Sequence, residues 1–147
     1  MADIVQILAV IVTGPLVGVE FGVAAFTNPI LERLPDTAYR QARANGGRIL
    51  GAAMPFWYLG AAALMTAATV WNPQPLRLAA VALMAVIIVL TVTTLVPINN
   101  RVAAGAHGQD GDTDQFHALV GRWDRWHWLR VALLAAAFAC SAVAAAP

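Results

Sequence analysis

The chain has 147 residues, of which 60% are hydrophobic and only 12% are charged, and its mean hydropathy is +0.68. This balance excludes an ordinary soluble domain. The net charge of +1 offers no broad basic surface, so we expect no nucleic-acid partner. The single cysteine, Cys140, can form neither an internal disulfide nor a cysteine metal site. The composition therefore predicts a protein whose first partner is the lipid bilayer.

Runs without charge predict four membrane helices. Asp, Glu, Lys and Arg are absent from residues 4–19, 21–31, 49–76, 78–100 and 131–147. About 20 apolar residues cross the hydrocarbon layer as a helix. Asp3 is the only charge before the first run, so a retained helix is expected there rather than a signal peptide. We predict one integral membrane domain over residues 1–147, with helices at about 4–31, 49–71, 77–103 and 114–146.

The connections between these helices are short, polar or rich in proline. Residues 38–48 form a basic segment that we interpret as a connection, with Asp36 or Thr37 capping the helix that follows. The prolines at 73 and 75 mark a tight turn before the third helix. The fold expected is all-α, a four-helix transmembrane bundle with up-down-up-down topology.

The arginines, which supply all nine positive charges, predict the orientation of the bundle. The connections after the first and third helices, with their flanking turns, hold all of them except Arg77. Cytoplasmic connections carry such an excess of basic residues. We therefore expect a multi-pass protein with both termini on the non-cytoplasmic side.

The first helix carries two polar residues within its apolar stretch. Glu20 follows sixteen uncharged residues and precedes eleven more, and a carboxyl group at such depth costs a few kcal/mol on insertion scales. It could transfer protons, bind a metal or contact a substrate, or it could be a structural residue that is hydrogen-bonded or shielded by an arginine. Asn28 lies two turns further on and could also face the bundle interior, although Pro29 beside it equally indicates a role at the helix end.

A second polar group closes the third helix. Pro97 removes one backbone hydrogen bond and frees the carbonyl near Thr93, so a threonine hydroxyl or a bound group must satisfy that carbonyl. Asn99 follows two residues later with an amide that both donates and accepts. Its role is either to repair this kink or to contact a ligand.

The densest cluster is the segment RWDRWHWLR, residues 122–130. Trp123, His127 and Arg130 share one helical stripe, and Trp126 adjoins it. Asp124 precedes the histidine by three residues and could orient its ring. Tryptophan and arginine also gather at membrane interfaces in general, so an interfacial belt is the alternative interpretation.

Histidine positions bound the metal chemistry. Of the three histidines, His107 is in a loop, and His117 and His127 are about 15 Å apart on one helix. The chain has no HExxH, CxxC or ExxH pattern. The cofactor therefore stays open: His127 and Glu20 could bind a metal, His127 alone could hold a haem, or the protein could need no cofactor.

The order of these features resembles the DUF1772 family of small four-helix membrane proteins, which includes the anthrone oxygenases. The resemblance covers nearly the whole chain and is most specific in the spacings Pro97-x-Asn99 and Trp123-x3-His127-x2-Arg130. It implies a membrane-embedded oxidoreductase that uses dioxygen on a flat phenolic substrate of aromatic polyketide type, such as an anthrone. A hydrophobic aromatic small molecule is then the expected partner.

An anthrone must lose a proton before oxygen attacks, and the enolate needs a positive or hydrogen-bonding group. Our hypothesis gives proton removal to Glu20 or His127 and enolate stabilisation to Arg130 and Asn99. Substrate contacts come from the remaining candidates, Asn28, Trp57, Tyr58, Trp123 and Trp126. The alternative is a non-enzymatic membrane protein, either a small-molecule carrier or an accessory subunit. The many Ala and Gly residues in the helices would also suit a homo-oligomer.

The orientation can be tested with a reporter enzyme that is active only outside the cytoplasm. We expect activity when the reporter follows the last residue and no activity when it is inserted at residue 108, in the arginine-flanked connection. The opposite pattern would reverse the orientation.

Overall fold

Four long helices make up the part of the chain that the computed structural model describes, residues 2–105 and 113–146. They are α1 (residues 2–31), α2 (Asp36–Trp71), α3 (Pro75–Gly105) and α4 (Thr113–Val143). Each is long and apolar enough to cross a membrane, and no strand occurs among the described residues. The prediction of an all-α four-helix bundle is confirmed, and the chain is a multi-pass integral membrane protein.

The helices alternate in direction around a closed ring. Each packs against its neighbours in sequence, and α4 returns to α1. Near the chain termini Gln6 donates to the backbone oxygen of Ser141 at 2.6 Å. At the other end of α1, Asn28 donates to Asp124, so α1 and α4 are antiparallel. The up-down-up-down prediction therefore holds. The end with residues 32–35 and the start of α4 is called the arginine-rich end below.

Helix α2 begins at Asp36, so the prediction that residues 38–48 form a connection is wrong. The side chains of this segment find partners on α4: Tyr39 packs edge-on against Phe116 at 6.0 Å between ring centroids, and Arg43 pairs with Asp124. Packing against α4 thus continues the helix beyond its apolar part, because one face of the polar segment is buried.

The predicted cap of α2 is also wrong. The residue before the helix is Pro35, with an extended ψ of 146°, and no side chain caps the first turn. Asp36 lies inside that turn, where its carboxylate accepts from Arg40 at 3.1 Å and contacts His117 at 3.1 Å. The carboxylate is engaged by a following turn and by α4, so it is not used for capping. His107 lies outside the described residues.

Two apolar clusters form the core at different heights. One lies in the half of the bundle toward the chain termini and the other at the arginine-rich end. The first comprises Ala9, Leu16, Tyr58, Ala61, Met65, Ala80, Met84, Ile87 and Leu134, and the second Tyr39, Ile98, Val102, Phe116 and Val120. Large apolar side chains on the outside, such as Phe56 and Val70, are expected to face lipid.

Two wide helical turns interrupt the bundle. Val23–Thr27 in α1 and Thr91–Leu95 in α3 are π-helical, closed by backbone bonds from residue 28 to 23 and from 96 to 91. Each ends two residues before a proline, Pro29 or Pro97, whose ring cannot bond the carbonyl four residues back. A wide turn relieves that conflict. Proline alone is not sufficient, since two others lie in regular α-helix, Pro15 and Pro55.

Threonine hydroxyls bond backbone carbonyls within and just before the second wide turn. Thr91 donates to the carbonyl of Ile87 at 2.8 Å, and Thr93 to that of Val89 at 2.7 Å. The expectation that threonine hydroxyls satisfy carbonyls near the kink is met one turn earlier than predicted, because the wide turn shifts the bonding pattern.

Arg77, the one arginine near the chain termini, is buried and caps two helices. Its guanidinium donates to the carbonyls of Ala68 and Asn72 at the end of α2, at 3.3 and 3.2 Å, and to that of Ala144 after α4 at 3.4 Å. These carbonyls have no partner within their own helices, and the positive charge suits the helix C-termini.

Replacing Arg77 by Met should destabilise the protein by about 1–3 kcal/mol, because buried carbonyls lose their donors. Unfolding in detergent micelles measures this change. The control is Arg48→Met, since Arg48 is exposed and makes one long contact, with Asn45 at 3.3 Å. Equal stability of the two variants would contradict the capping role.

Candidate functional site

A cavity of about 300 Å³ lies inside the bundle between the two apolar clusters and the arginine-rich end. All four helices line it, and both wide turns contribute, through Val23 and Thr27 on α1 and through Thr91, Val92 and Leu95 on α3. A wide turn displaces side chains from the regular helical pattern, and such turns occur often at functional sites. Most of the lining is apolar, so the polar groups that remain are few and specific in position.

Glu20 lies at the centre of the polar lining and is only 2% exposed. One carboxylate oxygen accepts from the Tyr58 hydroxyl at 2.9 Å. The other accepts from Nη2 of Arg130 at 2.6 Å. An arginine from another helix therefore shields Glu20, which was one of the interpretations left open by the sequence. Both charged residues also line the cavity, so the functional interpretation stands beside it.

His127 is 1% exposed and contacts Glu20 and Arg130. Its Nε2 lies 3.1 Å from the backbone oxygen of Glu20, and its Nδ1 lies 3.0 Å from Nη2 of Arg130. A carbonyl can only accept and a guanidinium can only donate. These partners assign the ring hydrogen to Nε2 and a lone pair to Nδ1, so the imidazole is neutral in this arrangement.

Asp124 does not orient His127, and that prediction is wrong. Its carboxylate accepts from Nη2 of Arg43 at 2.6 Å and from the amide of Asn28 at 2.9 Å. Arg43 comes from the polar segment that was taken for a loop, so its approach to α4 was not foreseen. Trp123 stacks on His127 at 4.6 Å between ring centroids and carries the Arg43 guanidinium at 5.3 Å. The ring of His127 is held instead by this stacking and by its bonds to Glu20 and Arg130.

Asn99 lies where α2 and α3 approach most closely. Its amide donates to the carbonyl of Gly47 at 3.5 Å. A side-chain carbon at Gly47 would collide with Oδ1 of Asn99, so glycine is required there. The Gly46-Gly47 doublet was the sequence signal for this approach, and it lay in the segment not expected to be helical.

Seven of the nine predicted site residues line the cavity: Glu20, Asn28, Tyr58, Asn99, Trp123, His127 and Arg130. The other two lie elsewhere. Trp57 donates its indole N–H to the carbonyl of Val12 at 2.9 Å and packs on the first apolar cluster. Trp126 packs on the second cluster. Helical periodicity could not separate these two from their neighbours, because each is one residue away from the face that lines the cavity.

The charges of the site balance each other. Glu20 pairs with Arg130, and Asp124 pairs with Arg43. A cavity whose charges are already paired favours a neutral ligand over an ion. One donor is left over: Nε of Arg130 is buried without a hydrogen-bond partner among the described residues. A ligand oxygen in the cavity would supply the missing acceptor.

The described residues contain no group of three or more His, Cys, Asp or Glu side chains placed to hold a metal ion. Glu20 and His127 are adjacent, with Nδ1 3.3 Å from Oε2, and provide two ligands of these types. A metal or a haem iron on His127 would have to replace the partner of one ring nitrogen. The predicted metal and haem roles stay predictions.

The fold and the site define a four-helix membrane protein with a buried acid, arginine and histidine around an apolar cavity. The family model for anthrone oxygenase matches residues 39–140, which includes both motifs and most of the cavity lining. The chain belongs to the anthrone oxygenase family, and the resemblance seen in the sequence is confirmed. Searches of curated proteins and of solved structures gave no match.

A double-mutant cycle on Glu20 and Arg130 tests the buried ion pair. The single changes Glu20→Gln and Arg130→Met should each destabilise the protein by about 3–5 kcal/mol, because each leaves a partner buried and unpaired. The double variant should be more stable than the sum of the two losses predicts, as measured by unfolding in detergent.

The matched control for this cycle is the exposed pair of Asp36 and Arg40, four residues apart on α2. Its coupling should be small, because solvent screens exposed charges. Additive losses at Glu20 and Arg130 would show that the two charges are not coupled.

Proposed function

We propose that this protein is a membrane oxygenase that converts an anthrone-like substrate, a flat phenolic ketone with a reactive methylene group, into a quinone with dioxygen. The observation that carries the proposal is the unpartnered N–H of Arg130 beside Glu20 in an apolar cavity. That combination provides a donor for a substrate oxygen, a base for a carbon acid, and walls suited to an aromatic ring system.

The reaction uses one dioxygen for each substrate molecule. The methylene carbon loses both hydrogens, which leave as water with one oxygen atom, and the other oxygen atom becomes the new carbonyl. Dioxygen is the oxidant and is reduced by four electrons in all, two from each of the carbon–hydrogen bonds that break. Formation of the substrate anion is the step in which side chains of this chain take part.

Glu20 is the base in this proposal. Proton transfer to its carboxylate neutralises one buried charge. A proton on His127 would instead place a second positive charge 3.0 Å from the Arg130 guanidinium, which is unfavourable where the dielectric is low. The charge balance of the site then favours the carboxylate over the imidazole.

Arg130 stabilises the anion that this proton transfer creates. As Glu20 becomes neutral, the negative charge moves to the substrate oxygen, which accepts from the guanidinium. The total charge in the cavity is unchanged during the step, so no charge has to enter the membrane interior. Asn99 supplies a further amide donor on the same cavity.

His127 acts through Arg130 and is a positioning residue. Its Nδ1 accepts from the guanidinium, and its Nε2 donates to the Glu20 backbone, so it fixes the acid and the arginine relative to each other. The stacked ring of Trp123 keeps the imidazole in place and offers its edge to the cavity.

The anion reacts with dioxygen to form a peroxide on the former methylene carbon. The proton held by Glu20 passes to the outer peroxide oxygen. Loss of the second hydrogen from carbon then breaks the oxygen–oxygen bond, releases water and forms the quinone. Glu20 ends as a carboxylate, ready for another cycle.

The test uses the protein in lipid nanodiscs, an oxygen electrode and the absorbance of the quinone. The wild type should consume one dioxygen per quinone, and labelled dioxygen should place its isotope in the new carbonyl. Glu20→Gln should lower the rate by about 10²–10⁴-fold, the usual contribution of a general base. Fluorescence quenching by bound quinone verifies that each variant keeps its folded cavity.

Two histidines on α4 give a matched comparison. His127→Ala should lower the rate strongly, whereas His117→Ala should not, because His117 is half exposed and lies outside the cavity. Equal rates for the two would contradict the role of His127. Quinone binding without any oxygen consumption by the wild type would favour the carrier alternative. Metal analysis and the visible spectrum of the active protein decide between a metal, a haem and a cofactor-free reaction.

A further inference from the structure

The cavity has a mouth on the side of the bundle. Residues that both line the cavity and lie exposed on the outer surface mark such an opening. Five of them face each other across the groove between two helices: Gly51, Pro55 and Leu59 on α2 and Val92 and Val96 on α3. The last three of the five are 58%, 62% and 45% exposed, respectively.

The rim of this mouth is apolar and without charge. Its members fall within the charge-free runs 49–76 and 78–100, which are the membrane-crossing parts of α2 and α3. Both helices therefore present the opening to lipid chains and not to water. On α3 the rim begins at Val92, inside the wide turn, so the same distortion that shapes the cavity also shapes its entrance.

We propose that the ligand enters this cavity sideways from the bilayer, through the mouth between α2 and α3. The ligand class that suits such a route is uncharged, flat and dissolved in the lipid, since an ion would have to leave the headgroup region to reach the rim. The naming of a tricyclic aromatic ketone as the ligand rests on the proposed function. The route itself rests on the rim residues.

Gly51 is the position that keeps the mouth open. A side-chain carbon there would meet only the amide of Asn99, at 4.0 Å, so a larger side chain fits without disturbing the packing of α2. It would extend into the opening from the α2 side. Gly60 is the matched control: it is also on α2, is exposed, has nothing within 4 Å of such a carbon, and does not line the cavity.

The experiment compares Gly51→Phe with Gly60→Phe in lipid nanodiscs, with anthraquinone supplied in the membrane as the probe. Quenching of tryptophan fluorescence gives the association and dissociation rates without any turnover. Gly51→Phe should slow both rates by about tenfold or more and leave the equilibrium affinity nearly unchanged, because an obstructed entrance hinders entry and exit alike. Gly60→Phe should bind as the wild type does.

Two results would overturn the proposal. If Gly51→Phe binds as fast as Gly60→Phe, the ligand enters elsewhere, for example beside Thr27, the exposed lining residue on α1. If Gly51→Phe weakens the affinity and leaves the association rate unchanged, the phenylalanine fills the site and not its entrance. Absence of any quenching in the wild type would also reject the route for this ligand class.

The oxygenase proposal is tested separately by turnover. Slowed binding in Gly51→Phe together with no oxygen consumption by the wild type would reject the oxygenase and retain the route. Normal binding kinetics in Gly51→Phe, with full turnover in the wild type, would reject the route and retain the oxygenase.

Discussion

The ion pair between Glu20 and Arg130 joins α1 to α4 inside the membrane, and the rest of the site is arranged around it. Neither charge could be buried alone, because desolvation in a lipid environment is costly and only a close partner offsets it. Tyr58 adds a donor from α2, and His127 bonds both members of the pair. Three helices are thereby fixed relative to one another at the depth where the cavity begins.

The space beside this pair comes from local departures from regular helix. The wide turns on α1 and α3 displace side chains from close packing, and the glycine at position 47 lets Asn99 approach α2. Each departure forgoes contacts that an ideal bundle would make, and cavities in protein interiors carry a stability cost. The distortions cluster around one cavity, next to the only buried carboxylate among the described residues, which is the pattern expected of a ligand site.

Charge balance links the structure to the chemistry proposed for it. The site holds two acids and two arginines in pairs, so its net charge is near zero before a ligand enters. A substrate proton that moves to Glu20 leaves the negative charge on the ligand, next to the same guanidinium. A membrane interior tolerates such an exchange far better than the creation of a new charge, and a neutral ligand can also arrive through lipid.

The sequence by itself determined the four spans, their alternation, the family, and seven residues that line the cavity, because charge-free runs and helical spacing are local properties. Tertiary structure decided which groups meet. Asp124 is three residues from His127, yet it bonds Arg43 and Asn28, since α2 and α1 bring those donors closer. The helical extension of α2 over residues 36–48 was likewise hidden, because its stability comes from packing on α4 and not from its own polar composition. Spacing along one helix predicts a face, and only the neighbouring helices select its partners.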